Sequence, residues 1–133
     1  WNGYLQTRYH TYFYQIDDHY FRHYFGFIIF ITGMFINIQS DNILIQLRKK
    51  TNDQSYRIPN GGLYEYLSCP NFFGESLEWF GYALYANSIP SYAFFVYTIS
   101  NLLPRAISHH IWYHKKFGKK YHSKRKAMIP FLL

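Results

Sequence analysis

Polar residues are scarce in two stretches of this chain and frequent elsewhere. From Tyr24 to Ile38 the only strongly polar residue is Asn37, and from Trp79 to Pro104 no residue carries a charge. The first run is shorter than the roughly 20 residues a helix needs to cross a bilayer core. Extended to Leu47 it is long enough, at the cost of including Asn37 and Asp41. The second run is interrupted by Asn87-Ser88-Ile89-Pro90, and Pro90 lacks the amide that would continue a helix. The pattern predicts a helix over about 24–47 and a helical hairpin with arms over 71–87 and about 90–114. Between them Pro59, Asn60-Gly61-Gly62 and Pro70 predict a loop. Residues 1–23 are aromatic and of mixed charge, which predicts the end of a preceding helix followed by a loop. Gly26 and Gly33 offer small surfaces for close helix packing.

Composition turns this helical pattern towards a membrane. Aromatic residues make up 23% of the 133 residues, with 15 Tyr and 13 Phe, and such rings suit an interface that is apolar on one side and wet on the other. Mean hydropathy is only −0.26 because tyrosine, asparagine and a basic tail lower the average. A buried helix of a soluble protein is the plainer alternative for the first run. The length fits one domain, residues 1–133. Trp1 in place of a starting methionine implies that something upstream has been removed.

The net charge is +7, and no acidic residue follows Glu78. A tail such as "HKKFGKKYHSKRK" could be a nucleic-acid arm or a solvated end. Beside apolar spans it reads better as a cytosolic flank facing anionic lipid headgroups, and nucleic acid is not expected as a partner. The loop bearing Arg48, Lys49, Lys50 and Arg57 is basic too. An even number of crossings must then separate the two cytosolic segments, which the hairpin supplies. The expectation is an all-α, multi-pass transmembrane helical bundle.

Three polar stripes interrupt these helices. Asn71, Glu75 and Glu78 share one face, as do Asn37, Asp41 and Arg48, and as do Arg105, His109 and Tyr113. A charged group at bilayer depth costs about 2.5–3.5 kcal/mol on insertion scales, so each stripe needs partners, protonation or a wet cavity. Mutual neutralisation, with Glu75 or Asp41 paired to Arg105, is the bland explanation. Three stripes at the cytosolic ends of three helices look more like the wall of a cavity for a polar ligand. A nucleotide would suit it, with arginine for phosphate, carboxylate and amide for hydroxyl and carboxamide groups, and tyrosine for stacking. Neither a GxGxxG nor a Walker pattern is present. His110 and His114 stand four apart, but one such pair falls short of a metal centre, and no metal is expected. Ser108 beside His109 gives no nucleophile–base signature.

The phrases "NGYLQTRY", "GMFINIQSDNILIQLRK", "SYRIPNGGLYEYLSCPNFFGESLEWFGYAL" and "RKAMIPFLL" closely resemble the C-terminal half of the steroid 5-alpha-reductases, the 3-oxo-5-alpha-steroid 4-dehydrogenases. The likeness covers nearly the whole chain and leans towards the type 1 isoenzyme. It implies the C-terminal part of a seven-helix, NADPH-using reductase of the endoplasmic reticulum membrane, with a cytosolic C-terminus. It further implies cofactor contacts at Asn37, Asp41, Arg48, Tyr56, Asn71, Glu75, Arg105, His109 and Tyr113. The implied reaction passes hydride to C5 of a 3-oxo-Δ4 steroid while an acid group polarises the C3 carbonyl. The family's polarising Tyr and Glu belong to earlier helices and find no match in this sequence, so these residues alone should be inactive. Single-residue insertions around Lys50–Asp53 and His122–Lys124, and Gln39 and Ser108 in place of common histidines, depart from the family pattern. Membrane enoyl-CoA or polyprenol reductases, and an inactive fragment, are the alternative readings.

Overall fold

The computed structural model describes residues 3–4, 20–49 and 56–132. Three long helices dominate: α1 (Tyr20–Lys49), α2 (Pro70–Ala86) and α3 (Ile89–Phe117). Short 3-10 turns lie at Gly62–Glu65 and Gly118–Lys120. Among the described residues the only β-type pairing is one isolated bridge, Leu67 with Lys126, so the described part of the chain is all-helical.

Helix α1 starts earlier than its apolar run. The expected loop over residues 1–23 lies mostly outside the described residues, but Tyr20 to His23 are the first turn of α1. Charge does not end the helix there because both polar side chains find partners at the α2–α3 turn. His23 Nδ1 lies 2.9 Å from the Tyr85 carbonyl oxygen. The Asn87 side-chain oxygen, in the orientation that satisfies both groups, accepts from Arg22 at 3.0 and 3.2 Å.

At 30 residues, α1 is about 45 Å long by the 1.5 Å rise of an α-helix. Among the described residues it is the one helix long and apolar enough to cross a membrane. Its buried positions are Gly26, Gly33 and Ser40, all small.

These glycines explain the packing. A Cβ on Gly26 would lie 2.7 Å from the Tyr85 amide nitrogen and 2.8 Å from the Gly81 carbonyl oxygen. One on Gly74 would lie 2.6 Å from the Asn37 nitrogen and 2.8 Å from the Gly33 carbonyl oxygen. Gly26 thus faces Gly81 and Gly33 faces Gly74, which sets α1 and α2 antiparallel with their backbones in direct contact. The most extensive helix contact in the structure is this one.

Helices α2 and α3 form the expected hairpin. Asn87 caps α2 in the left-handed conformation (φ 43°), its amide donating to the Ala83 carbonyl. Ser88 then caps α3 in a reciprocal box with Ser91, which satisfies donors that a helix start leaves unpaired. Pro90 falls in the first turn, where its missing amide costs nothing. Trp79 packs on Phe94 at 4.5 Å and Phe80 on Phe95 at 5.2 Å between ring centroids. Helix α3 runs through Pro104 to Phe117, slightly beyond the expected end.

The basic tail is not simply a solvated flank. Lys126 donates its amide to the Tyr66 carbonyl (2.8 Å), and the amides of Ser68 and Cys69 donate to the carbonyls of Lys126 and Ala127 (2.8 and 3.1 Å). Arg125, only 2% exposed, donates to the Pro59 carbonyl at 2.9 Å and to Asn60 Oδ1 at 2.8 Å. Its guanidinium lies 5.1 Å from the Tyr121 ring centroid. The apolar core sits beside this clamp, where Cys69, Leu102, Ala106, Ala127 and Met128 meet.

Candidate functional site

A cavity of about 900 Å³ opens where the end of α1, the loop after it, the start of α2 and the last third of α3 converge. Its size lies within the usual range for small-molecule sites. Helix α1 contributes Leu44, Leu47 and Arg48; the loop contributes Tyr56, Arg57, Tyr64, Ser68 and Cys69. Asn71 and Phe72 come from the first turn of α2, and Ser108, His109, Trp112 and Tyr113 from α3. Among the described residues this lining holds two guanidinium groups and no carboxylate.

The loop owes its shape to glycine. Gly61 and Gly62 have φ of 98° and 55°, which side-chain-bearing residues adopt only at a cost. The turn is closed by the Gly61 amide donating to Glu65 Oε1 at 2.7 Å. Tyr64, 1% exposed, is thereby driven against α1, with its hydroxyl 3.5 Å from the Ser40 carbonyl. Burial raises the Tyr64 pKa well above its ordinary value, with further upward contributions from Cys69, Tyr113 and Asp41 that outweigh Arg48. Burial likewise pushes the Cys69 thiol up to about 12. Both groups are therefore neutral at physiological pH and serve as wall rather than as acid or base.

Of the residues singled out from sequence, the structure brings Arg48, Tyr56, Asn71, His109 and Tyr113 into this one lining. Asn37, Asp41, Glu75 and Arg105 are not part of it. They lie one or more turns further along the same helices. Asn37 is half-buried with its backbone against Gly74. Glu75 is half-buried, hydrogen-bonds with the Trp79 side chain, and lies within electrostatic range of Glu78, Asp41 and Arg105. The polar stripes thus form a track leading from the cavity along the three helices.

Sequence reasoning missed several partners of this site. Ser68 Oγ lies 2.6 Å from His110 Nδ1 and 2.6 Å from the Tyr121 hydroxyl. The Tyr121 ring is stacked 5.2 Å from Tyr113, and His114 packs on both His110 (4.6 Å) and Tyr121 (4.9 Å). The histidine pair considered for metal is held in this aromatic stack, and no group of three or more metal-binding side chains comes together among the described residues. The Ser68–His110 distance suits a nucleophile and its base. Yet the amides of Ser68 and Cys69 are already spent on Lys126 and Ala127, which removes the nearest donors for an oxyanion. Arg57 and Trp112 were also missed, although each adjoins a residue that was found, Tyr56 and Tyr113.

An all-helical protein with a cationic, aromatic-walled cavity at one end of its helices is the class these observations define. The family model described as 3-oxo-5-alpha-steroid 4-dehydrogenase matches residues 1–133. The chain is 47% identical over 134 residues to the human 3-oxo-5-alpha-steroid 4-dehydrogenase 1, covering 98% of this chain and 51% of that protein. It is also 47% identical over 137 residues to the steroid 5-alpha-reductase DET2 of Arabidopsis thaliana, covering 98% and 51%. The rat 3-oxo-5-alpha-steroid 4-dehydrogenase 1 is 46% identical over 135 residues, covering 99% and 51%. The chain belongs to the 3-oxo-5-alpha-steroid 4-dehydrogenase family and spans about half the length of these relatives. Identity is the same to the human type 1 protein and to the Arabidopsis one, so it does not separate the two groups.

Proposed function

We propose that this chain supplies the cofactor wall of a membrane reductase that uses NADPH to saturate the Δ4 double bond of 3-oxo-Δ4 steroids. The observation that carries the reading is the cavity lining, which Arg48 and Arg57 share with the rings of Tyr56, Trp112 and Tyr113 and with Asn71 and His109. Guanidinium groups match phosphate geometry, and flat rings suit an adenine face. The residues fit the phosphate-bearing adenosine half of a dinucleotide. The track through Asn71, Glu75, Asn37, Asp41 and Arg105 then offers amide, carboxylate and guanidinium partners to its nicotinamide half. Bound NADPH would supply the hydride. The chain's residues bind and orient it, and the neutral, buried Tyr64 and Cys69 close the wall without taking a proton.

In this reading α1 to α3 are spans of a multi-pass bundle in the endoplasmic reticulum membrane. Arg48 and the basic C-terminus both face the cytosol and anionic headgroups, and steroid and membrane lipid are the partners. A glycosylation acceptor placed after Leu133, or within residues 51–55, should remain unmodified in microsomes. Modification at either place overturns the topology.

Glu75 tests the cofactor assignment. In the full-length protein, Glu75→Gln keeps the shape and removes the charge. NADPH affinity should fall while the melting temperature in detergent stays near that of the parent. If Glu75 only neutralises the exposed Arg105, NADPH affinity should be unchanged and stability should fall by no more than about 1 kcal/mol. Glu78→Gln should alter binding less. Unchanged NADPH affinity in the Glu75 variant removes it from the site.

A further inference from the structure

We infer that Lys116 is a specificity-determining residue of the cavity, holding the 2′-phosphate by which NADPH differs from NADH. The inference rests on the NADPH reading above and adds a residue that neither the spacing argument nor the family resemblance selected. Lys116 lies on α3 one turn beyond Trp112. Its Nζ stands 4.6 Å from the Tyr56 ring centroid and 4.7 Å from that of Trp112. Those two rings pack edge to face at 4.9 Å, and both line the cavity. One ring belongs to the loop and the other to α3, so the ammonium is fixed at the rim where these elements meet.

Two features distinguish this lysine from an ordinary surface cation. The rings attract it through their electron-rich faces, which sets its position and lowers the conformational cost of using it. They do not neutralise it, because a quadrupole leaves the full charge and the N–H donors available to an anion. Arg48 and Arg57 line the cavity whose wall includes both rings, and Lys116, exposed outside that lining, adds a third cation at its edge. Among the described residues no carboxylate in the lining offsets them. The diphosphate of any dinucleotide gives the two guanidinium groups a common target. A third, compact cation at the rim has a natural partner in the additional phosphate on the adenosine ribose, which carries close to two negative charges near pH 7.

The alternative role for Lys116 is mechanical: it props Tyr56 against Trp112 and so shapes the wall. The two roles separate in nucleotide preference. Equilibrium dissociation constants for NADPH and NADH should be measured on the full-length protein and on its Lys116→Met and Lys116→Arg variants. Lys116→Met keeps the apolar stem and loses the charge. It should weaken NADPH at least about tenfold and change NADH less than about twofold, while Lys116→Arg, which keeps charge and stacks on rings, should stay near the parent. Equal weakening of both nucleotides assigns the propping role and overturns the inference, and so does no change in either. A second measurement needs no variant. Amine acylation at Lys116, followed by mass spectrometry, should be slowed by 2′,5′-ADP and not by 5′-AMP; equal protection by the two also overturns it. If the unmodified protein binds neither NADPH nor NADH, the NADPH reading itself fails. Tight NADPH binding with an unchanged preference in Lys116→Met defeats only the assignment of Lys116.

Discussion

Helix α2 is held in two different ways along its length. Its glycine face meets α1 backbone to backbone through Gly74 and Gly81, with no side chain between. Its first turn meets the loop and the C-terminal segment through hydrogen bonds and rings. The first kind of contact fixes the distance between two helices and has no room for variation. The second places chemically distinct side chains around a cavity and can be varied without moving the helices. A close, featureless joint thus supports a polar site whose lining is free to carry specificity.

The strongest way to break the comparison is to add one carbon to the glycine joint. A Cβ on Gly81 would lie under 3.0 Å from the Phe30 nitrogen and Cα and the Gly26 carbonyl oxygen, all backbone. Neither helix can yield by turning a side chain. Alanine would gain up to about 1 kcal/mol of helix propensity, but separating the helices should cost more than about 3 kcal/mol, the upper end for overpacking. Gly81→Ala should therefore lower the melting temperature sharply, despite being the mildest substitution available. A melting temperature equal to the parent's would show that the joint is not close-packed.

At the other joint the largest effect belongs to Arg125. Arg125→Gln removes the donors to the Pro59 carbonyl and Asn60 Oδ1 from a nearly inaccessible position. Bonds from a charged donor contribute about 1.5–3 kcal/mol each, and part of the loss is recovered when the buried charge disappears. A destabilisation of about 2–4 kcal/mol is expected, read as a shift in thermal unfolding. NADPH affinity should fall along with it, because Pro59 and Asn60 belong to the segment that carries Tyr56 and Arg57. A destabilised variant with normal affinity would uncouple the C-terminal clamp from the cavity.

Cys69 gives a smaller effect, confined to alkaline pH. Its thiol titrates ordinarily at 9.0, and burial pushes it up to about 12. The fold favours the neutral thiol, so this contribution to stability is complete below pH 9 and is lost as the pH rises through about 12. Cys69→Ala should flatten the alkaline fall in stability. Alkylation of Cys69 in the native protein at pH 8 should be slow and should accelerate on unfolding, since the thiolate is the reactive form. Rapid native-state alkylation would place Cys69 in an open, polar setting instead.

What the sequence revealed and concealed follows the same division. The hairpin was legible because Asn87, Ser88 and Pro90 act locally: a left-handed cap, a serine cap and a residue tolerated in a first turn. Gly26 and Gly33 were legible as packing surfaces, though their partners Gly74 and Gly81 were not, since nothing in sequence aligns two antiparallel helices. The stripes on α1, α2 and α3 were legible through helical spacing, and the structure gathers Arg48, Asn71, His109 and Tyr113 from them into one cavity. Arg125 was hidden because a buried arginine within a run of lysines has the same sequence appearance as a solvated one. Ser68, His110 and Tyr121 were hidden because their contacts join residues 42 and 53 positions apart. The cage of Tyr56, Trp112 and Lys116 was hidden for the same reason.

The smallest expected effect lies at the end of α2 remote from the cavity, and it sharpens the comparison by supplying a side-chain joint without a site. Ser88 Oγ accepts from the Ser91 amide at 3.3 Å, and the Ser88 amide donates to Ser91 Oγ at 3.2 Å. Replacing an N-cap serine by alanine costs about 1 kcal/mol. Here the Ser91 amide keeps a bond to the Ser88 carbonyl at 3.0 Å, which should hold the cost near or below that figure. Ser91→Ala should cost a similar amount, and the double variant less than the sum, because each removes the same reciprocal pair. None of the three should change NADPH affinity, since neither serine lines the cavity. Thermal unfolding and nucleotide binding measured on the same preparations decide the matter. Additive losses would show that the two hydroxyls act independently, and a binding defect would show that the hairpin turn reaches the cavity through α3.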